Sequence, residues 1–122
     1  MKKYLIVASI FGVLAIILGA FGAHALKSSL SDASLTSFET GVRYQMYHAI
    51  VLLFVNSYSK FSLQQIQKMN RLFVLGVLFF SGSIYAITFG VPASYIWFIT
   101  PLGGLFFITG WTLMLFSFIK NN

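Results

Sequence analysis

From Tyr4 to Leu26 the chain runs for 23 residues without a formal charge. At about 1.5 Å per residue, a helix of that length spans a hydrocarbon core about 30 Å thick. So long an apolar cylinder finds its natural solvent in lipid, which places the chain among integral membrane proteins. The composition agrees: 58% of the 122 residues are hydrophobic and only 8% charged, where a soluble domain carries roughly a quarter. Fourteen Phe, six Tyr and two Trp are more than a water-soluble core of this size can hide.

Three further apolar runs follow. Tyr44 to Tyr58 is short, but Thr36-Ser37-Phe38-Glu39 has capping-box form and can start that helix earlier. Leu72 to Phe89 is the third. Thr100-Pro101 suits N-cap and first-turn positions for a fourth helix ending near Ile119. The expected fold is a single all-α domain, residues 1–122, forming a four-transmembrane-helix bundle with spans near 4–26, 42–59, 72–90 and 101–119. Between the last two spans, "GVPASYIWF" offers Tyr95 and Trp97 as rings at headgroup depth. There is no internal repeat.

Charge sets the expected orientation. With four spans, both termini and the loop between the second and third share one side, which collects Lys2, Lys3, Lys60, Lys68, Arg71 and Lys120. The other side has Lys27 and Arg43, offset by Asp32 and Glu39. Six against two places both termini in the cytoplasm of a multi-pass plasma-membrane protein. The net charge of +6 is spent in this way. No basic stripe with interleaved aromatics remains for nucleic acid. The loop Ser59 to Asn70, with the stretch "KFSLQQIQKMNR" (residues 60–71), is expected to lie along the anionic leaflet, either as an ordinary positive anchor or as a specific lipid contact. Without cysteine, disulfides, thiolate catalysis and the usual zinc-finger spacings are excluded.

"GAFGAHALK", residues 19–27, admits two readings. Ala23-His24-Ala25 has the small-x-small form of a signal-peptidase site, and the run to Leu18 is at the upper length limit of a signal core, roughly 15 residues. Yet Ala8, Gly12, Ala15, Gly19 and Gly22 recur at spacings of four and three, on one helical face. Such a face lets a second helix approach closely, which a disposable signal does not need. A retained helix is the expectation. Gly12, Gly19, Gly22, Gly82, Gly103 and Gly104 are the expected packing glycines, with the same faces open to use as a cavity or an oligomer seam.

Polar groups within membrane spans are costly and therefore informative. The second helix is richest: Gln45 and His48 are neighbours on one face, Tyr44 and Tyr47 lie beside them, and Asn56 follows toward the loop. These five form the candidate polar or ligand site. Counting along helices, His48 is about 18 Å from the inner surface, Arg43 about 25 Å, and Glu39 and His24 each about 31 Å. His24 is therefore expected to join Glu39 and Arg43 in an outer-face polar cluster, and a two-histidine metal site is disfavoured. His48 reads either as a proton or ligand site or as a neutral imidazole that fixes packing. No Ser-His-Asp order, HExxH, glycine-rich phosphate loop or carboxylate pair is present. The expectation is a non-enzyme without metal or cofactor.

Taken together, "GAFGAHALK", "FETGVRYQMYHA", "FSGSIYA" and "ITPLGGLFFITGW" closely resemble, in order and character, the small bacterial membrane proteins of domain of unknown function 423 (UPF0382). The resemblance covers nearly the whole chain. It implies a polytopic plasma-membrane protein with an uncleaved first helix, and supplies no activity. The matching positions His24, Glu39, Gly41, Arg43, Gln45, His48, Ser81, Gly82, Pro101, Gly103, Gly104 and Trp111 form a site neighbourhood without inherited roles. Two functions stay open. One is a structural or accessory protein supporting membrane or envelope integrity, with lipids, a further copy or another membrane protein as partners. The other is a small oligomeric carrier or ligand-binding protein with a polar intramembrane site around Gln45 and His48.

Overall fold

The computed structural model describes residues 2–121, and these are helical apart from the connections and the last residue. In chain order the elements are α1 (Lys2–His24), α2 (Asp32–Val55), α3 (Leu63–Thr88), the single turn α4 (Ala93–Ile96) and α5 (Ile99–Lys120). Among the described residues, Lys2–His24, Leu63–Thr88 and Ala93–Lys120 are long and apolar enough to cross a membrane. α2 is equally long, 24 residues, but carries Asp32, Glu39, Arg43, Gln45 and His48 and is not one of them. It is also the central helix, packed against α1 on one side and α3 on the other. α5 packs against the far side of α3 and reaches α2 through aromatic side chains.

Neighbouring long helices are antiparallel, and their registers can be read from single contacts. Along α1 and α2, Gly22 meets Phe38 and Gly19 meets Val42. A Cβ on Gly22 would stand 2.6 Å from Phe38 Cε2, so only glycine fits there without moving the ring. Ala8, Ala15 and Gly22, seven residues apart, are the buried positions of α1. The α1 packing face is thus narrower than the five-residue stripe in the sequence: a Cβ on Gly12 would meet nothing within 4 Å.

α3 and α5 form the tightest seam, in which glycine on one helix repeatedly faces phenylalanine on the other. Gly103 stands against the Phe80 backbone, Gly76 under the Phe107 ring, and Gly110 under the Phe73 ring, where a Cβ would lie 2.7 Å from Cε1. Two large rings thereby find holes, and at the third level Gly103 lets the two helix backbones approach directly. Close van der Waals contact of this kind supplies the association energy that lipid, itself apolar, cannot supply by hydrophobic exclusion. Gly82 and Gly104 lie off this seam with open space around their Cα atoms, so within the chain they are not packing glycines.

Three helix ends depart from the sequence expectation. α2 starts at Asp32 with Ser31 as N-cap, its side chain accepting from Ser34 N at 3.1 Å. The Thr36–Glu39 pattern lies inside the helix, where Thr40 Oγ1 donates to Thr36 O. The working capping box is Ser62-Leu63-Gln64-Gln65, so α3 begins well before Leu72. Residues 63–70 are therefore the first two turns of α3, with Ile66, Met69 and Asn70 buried, instead of a segment lying flat on a leaflet. α5 begins at Ile99 without a side-chain cap, which leaves Thr100 free of the expected N-cap role. α3 closes in a Schellman motif at Gly90, φ 123°, a left-handed position that glycine adopts without Cβ strain. Beyond it, Tyr95 and Trp97 are exposed, 74% and 68%.

Candidate functional site

The polar residues of α2 are tied to other helices at three levels. Gln45, only 4% exposed, reaches α1 and α3 together. Its Nε2 donates to Phe11 O at 2.8 Å, and its Oε1 accepts from Tyr85 OH at 2.7 Å. One amide therefore clamps three helices. About one turn toward the α2 N-terminus, Ser81 Oγ donates to Gly41 O at 2.6 Å. Gly41 packs closely there: a Cβ would come within 3.1 Å of Tyr85 Cε1, so the ring would have to give by a few tenths of an ångström.

His48, also 4% exposed, connects α2 to α5. Trp111 Nε1 lies 3.1 Å from His48 Nε2, and His48 Nδ1 lies 2.7 Å from Tyr44 O. An indole N–H can only donate and a carbonyl oxygen can only accept. Nε2 must therefore present its lone pair and Nδ1 must carry the proton. The hydrogen bonds select the neutral Nδ1–H tautomer, since an imidazolium would set two N–H groups against each other at Trp111. The ring is stacked on Phe107 at 3.7 Å between centroids and 6° between planes. Phe107 is in turn seated by Gly76, so the imidazole is fixed by the α3–α5 seam as well as by its own bonds.

The third level lies at the α2–α3 connection. Asn56 is the C-cap of α2, and it forms a reciprocal amide pair with Asn70 at 2.7 and 2.9 Å. Asn56 Nδ2 also donates to Leu52 O. Asn56 thus sits about two turns from His48 and belongs to a separate pair. Among the described residues no buried side-chain nitrogen or oxygen lacks a hydrogen-bond partner.

The remaining candidates are placed differently. Tyr44 and Tyr47 are exposed at 38% and 51%, their rings 5.7 Å apart, with Tyr44 also 4.8 Å from Phe80. Tyr44 borders a 450 Å³ groove on the α2–α5 face whose walls include His48, Gly104, Phe107 and Trp111; Tyr47 does not line it. His24, Glu39 and Arg43 are all exposed near the α1–α2 connection. Arg43 turns to Thr40 Oγ1 at 3.1 Å, a hydrogen bond one helical turn back. An exposed arginine gains little from a carboxylate that water also solvates. Among the described residues no group of three His, Cys, Asp or Glu side chains could hold a metal. Sequence reasoning missed Tyr85, Asn70 and Gly76 as structural partners; Tyr85 lies in the quoted "FSGSIYA" motif, but its contact with Gln45 spans 40 residues of sequence.

The family profile described as "Protein of unknown function (DUF423)" matches residues 18–104. The chain belongs to this family. It is 38% identical to the UPF0382 membrane protein YwdK of Bacillus subtilis over 123 residues, covering 98% of both chains. It is 37% identical to a UPF0382 membrane protein of Staphylococcus haemolyticus over 120 residues, again 98% of both. With the UPF0382 inner membrane protein YgdD of Escherichia coli it shares 34% over 118 residues, 95% of this chain and 88% of that one. No solved structure matches the chain. The DUF423 match contains Gln45, His48 and Tyr85 but ends before Trp111, whereas the alignments to whole relatives span nearly the full length.

Proposed function

We propose that this DUF423 protein spans the plasma membrane four times with both termini in the cytoplasm. In this reading it acts without catalysis, as a structural or accessory component that supports membrane or envelope integrity through lipid and protein contacts. One observation carries the choice: both ring nitrogens of His48 and both polar side-chain atoms of Gln45 are engaged inside the chain. A carrier or proton path needs a polar group that can exchange partners along a route, and these groups act as fixed interhelical ties. α2 serves as the fourth span because Gln45 and His48, its buried polar side chains, are hydrogen-bonded to α1, α3 and α5, which lowers the cost of placing them in lipid. Orientation follows from the six basic residues at the end holding both termini and the α2–α3 connection.

The chain has no cysteine, so each introduced thiol reports alone. In intact cells, Ser28→Cys and Val91→Cys should react with an impermeant maleimide, and Ser59→Cys only after permeabilisation. The reverse pattern, or labelling at only one of the two outer positions, refutes the topology. Photo-crosslinking from Tyr47 and Leu115 in native membranes should capture a protein partner or a second copy. A strictly monomeric protein with no crosslinked partner refutes the accessory role.

The 450 Å³ groove beside His48 favours a second reading, a small oligomeric carrier or ligand-binding protein. His48→Ala would then abolish ligand binding or flux with folding intact. Lowered stability without any loss of binding supports the structural reading.

A further inference from the structure

At the end of the molecule that holds both termini, α3 and α5 are latched together by side chains. Asn121, the C-cap of α5, donates through Nδ2 to Lys60 O at 2.9 Å and to Gln65 Oε1 at 3.0 Å. Gln65 Nε2 returns a bond to Asn121 Oδ1 at 3.3 Å. Gln65 is itself half of the capping box with Ser62, so the latch is continuous with the start of α3. This bonding fixes a 190 Å³ cavity between the two helix ends, with Lys68 and Lys120 both on its wall. Leu113 and Phe116 continue the same wall toward the membrane interior.

Two ammonium groups around one small cavity repel each other, and because the N-terminal end of α3 meets the C-terminal end of α5 there, the two helix dipoles oppose each other and the positive potential comes from Lys68 and Lys120 themselves. No carboxylate side chain can offset them, because Asp32 and Glu39, the two acidic residues of the chain, lie in the first turns of α2 at the opposite end. A polar, cationic mouth above an apolar wall matches one kind of molecule, with a negative phosphate at the interface and acyl chains below it. We propose that this cavity binds the headgroup phosphate of an anionic phospholipid, with Lys68 and Lys120 as its cation pair and Leu113 and Phe116 against the upper acyl chain. The site deepens the accessory reading above, giving the protein a specific lipid contact at the cytoplasmic leaflet.

The test uses the full chain in mild detergent, with phosphatidylglycerol or phosphatidylcholine added and retention read by native mass spectrometry. Both ends of the protein are accessible in a micelle, so this result does not depend on orientation, which the thiol labelling tests separately. Phosphatidylglycerol should be retained at least ten-fold more strongly than phosphatidylcholine. The double variant Lys68→Gln/Lys120→Gln should lose roughly 30-fold in phosphatidylglycerol retention, at the attraction typical of two basic residues near an anionic surface. Lys2→Gln/Lys3→Gln removes the same charge at the same end and should change retention less than two-fold. Equal retention of the two lipids overturns the proposal, as does an equal loss in both double variants, which would mean diffuse attraction. Full displacement of phosphatidylglycerol by millimolar inorganic phosphate would also overturn it, assigning the cavity to a free anion.

Discussion

Gln45 offers the sharpest test of the interhelical ties, because its two hydrogen bonds go to different helices and can be removed separately. Tyr85→Phe deletes only the bond to α3, 2.7 Å long, and strands Gln45 Oε1. Gln45→Leu deletes both that bond and the 2.8 Å bond to Phe11 O on α1. Hydrogen bonds between membrane helices are worth about 0.6 kcal/mol on average and up to about 1.7. Tyr85→Phe should therefore cost about 0.6–1.7 kcal/mol and Gln45→Leu about 1–3 kcal/mol. Phe11 O keeps its own helical bond, so the larger figure needs no added penalty for a stranded carbonyl. The double variant should be little worse than Gln45→Leu alone, giving a coupling energy of about 0.6–1.7 kcal/mol. Reversible unfolding in mixed micelles, followed by far-UV circular dichroism, measures all four corners of the cycle. Costs that add to within about 0.3 kcal/mol would refute the clamp, since residues that share no interaction behave in that way.

Further outcomes follow from the same geometry. Gly103→Ala should destabilise by about 1–3 kcal/mol, because its new methyl meets the Phe80 backbone, which cannot swing aside; Gly104→Ala, one residue along with open space, should stay within about 0.5 kcal/mol in the same unfolding assay. Asn56→Leu should cost about 1–3 kcal/mol by stranding the buried Asn70 amide, while Asn56→Leu/Asn70→Leu should recover part of that loss. Intact mass of membrane-extracted protein should show residues 1–25 retained, since Ala8, Ala15 and Gly22 are buried in the structure and Phe11 O anchors Gln45; loss of that segment would overturn the packing of α1.

What the sequence made legible was set by how local each signal is. The extents of α1 and α5 are carried by uninterrupted apolar runs, and the structure places them within about two residues of expectation at each end. The start of α3 is also written locally, as Ser62 followed three residues later by Gln65, but the polar first turns with Lys68 and Arg71 lack the apolar run that marks a span. The Thr36–Glu39 pattern shows the converse: the right letters inside a helix that Ser31 had already capped. Gln45 and His48 stood out as costly polar groups on one face. Their partners did not, because Phe11 O, Tyr85 and Trp111 lie 34, 40 and 63 residues away and no spacing rule reaches across helices. The glycines divide in the same way: a small residue marks where close approach is possible, and only the facing phenylalanine decides where it happens.

His48 is a fixed interhelical tie in this structure, and ring nitrogen NMR on imidazole-labelled protein in lipid reads it directly. At neutral pH the spectrum should show a protonated Nδ1 and an unprotonated Nε2 in a single environment, with Trp111→Phe shifting the Nε2 resonance alone. An imidazolium, an Nε2–H tautomer, or a mixture exchanging with solvent would contradict the account and return His48 to the role of an exchangeable site.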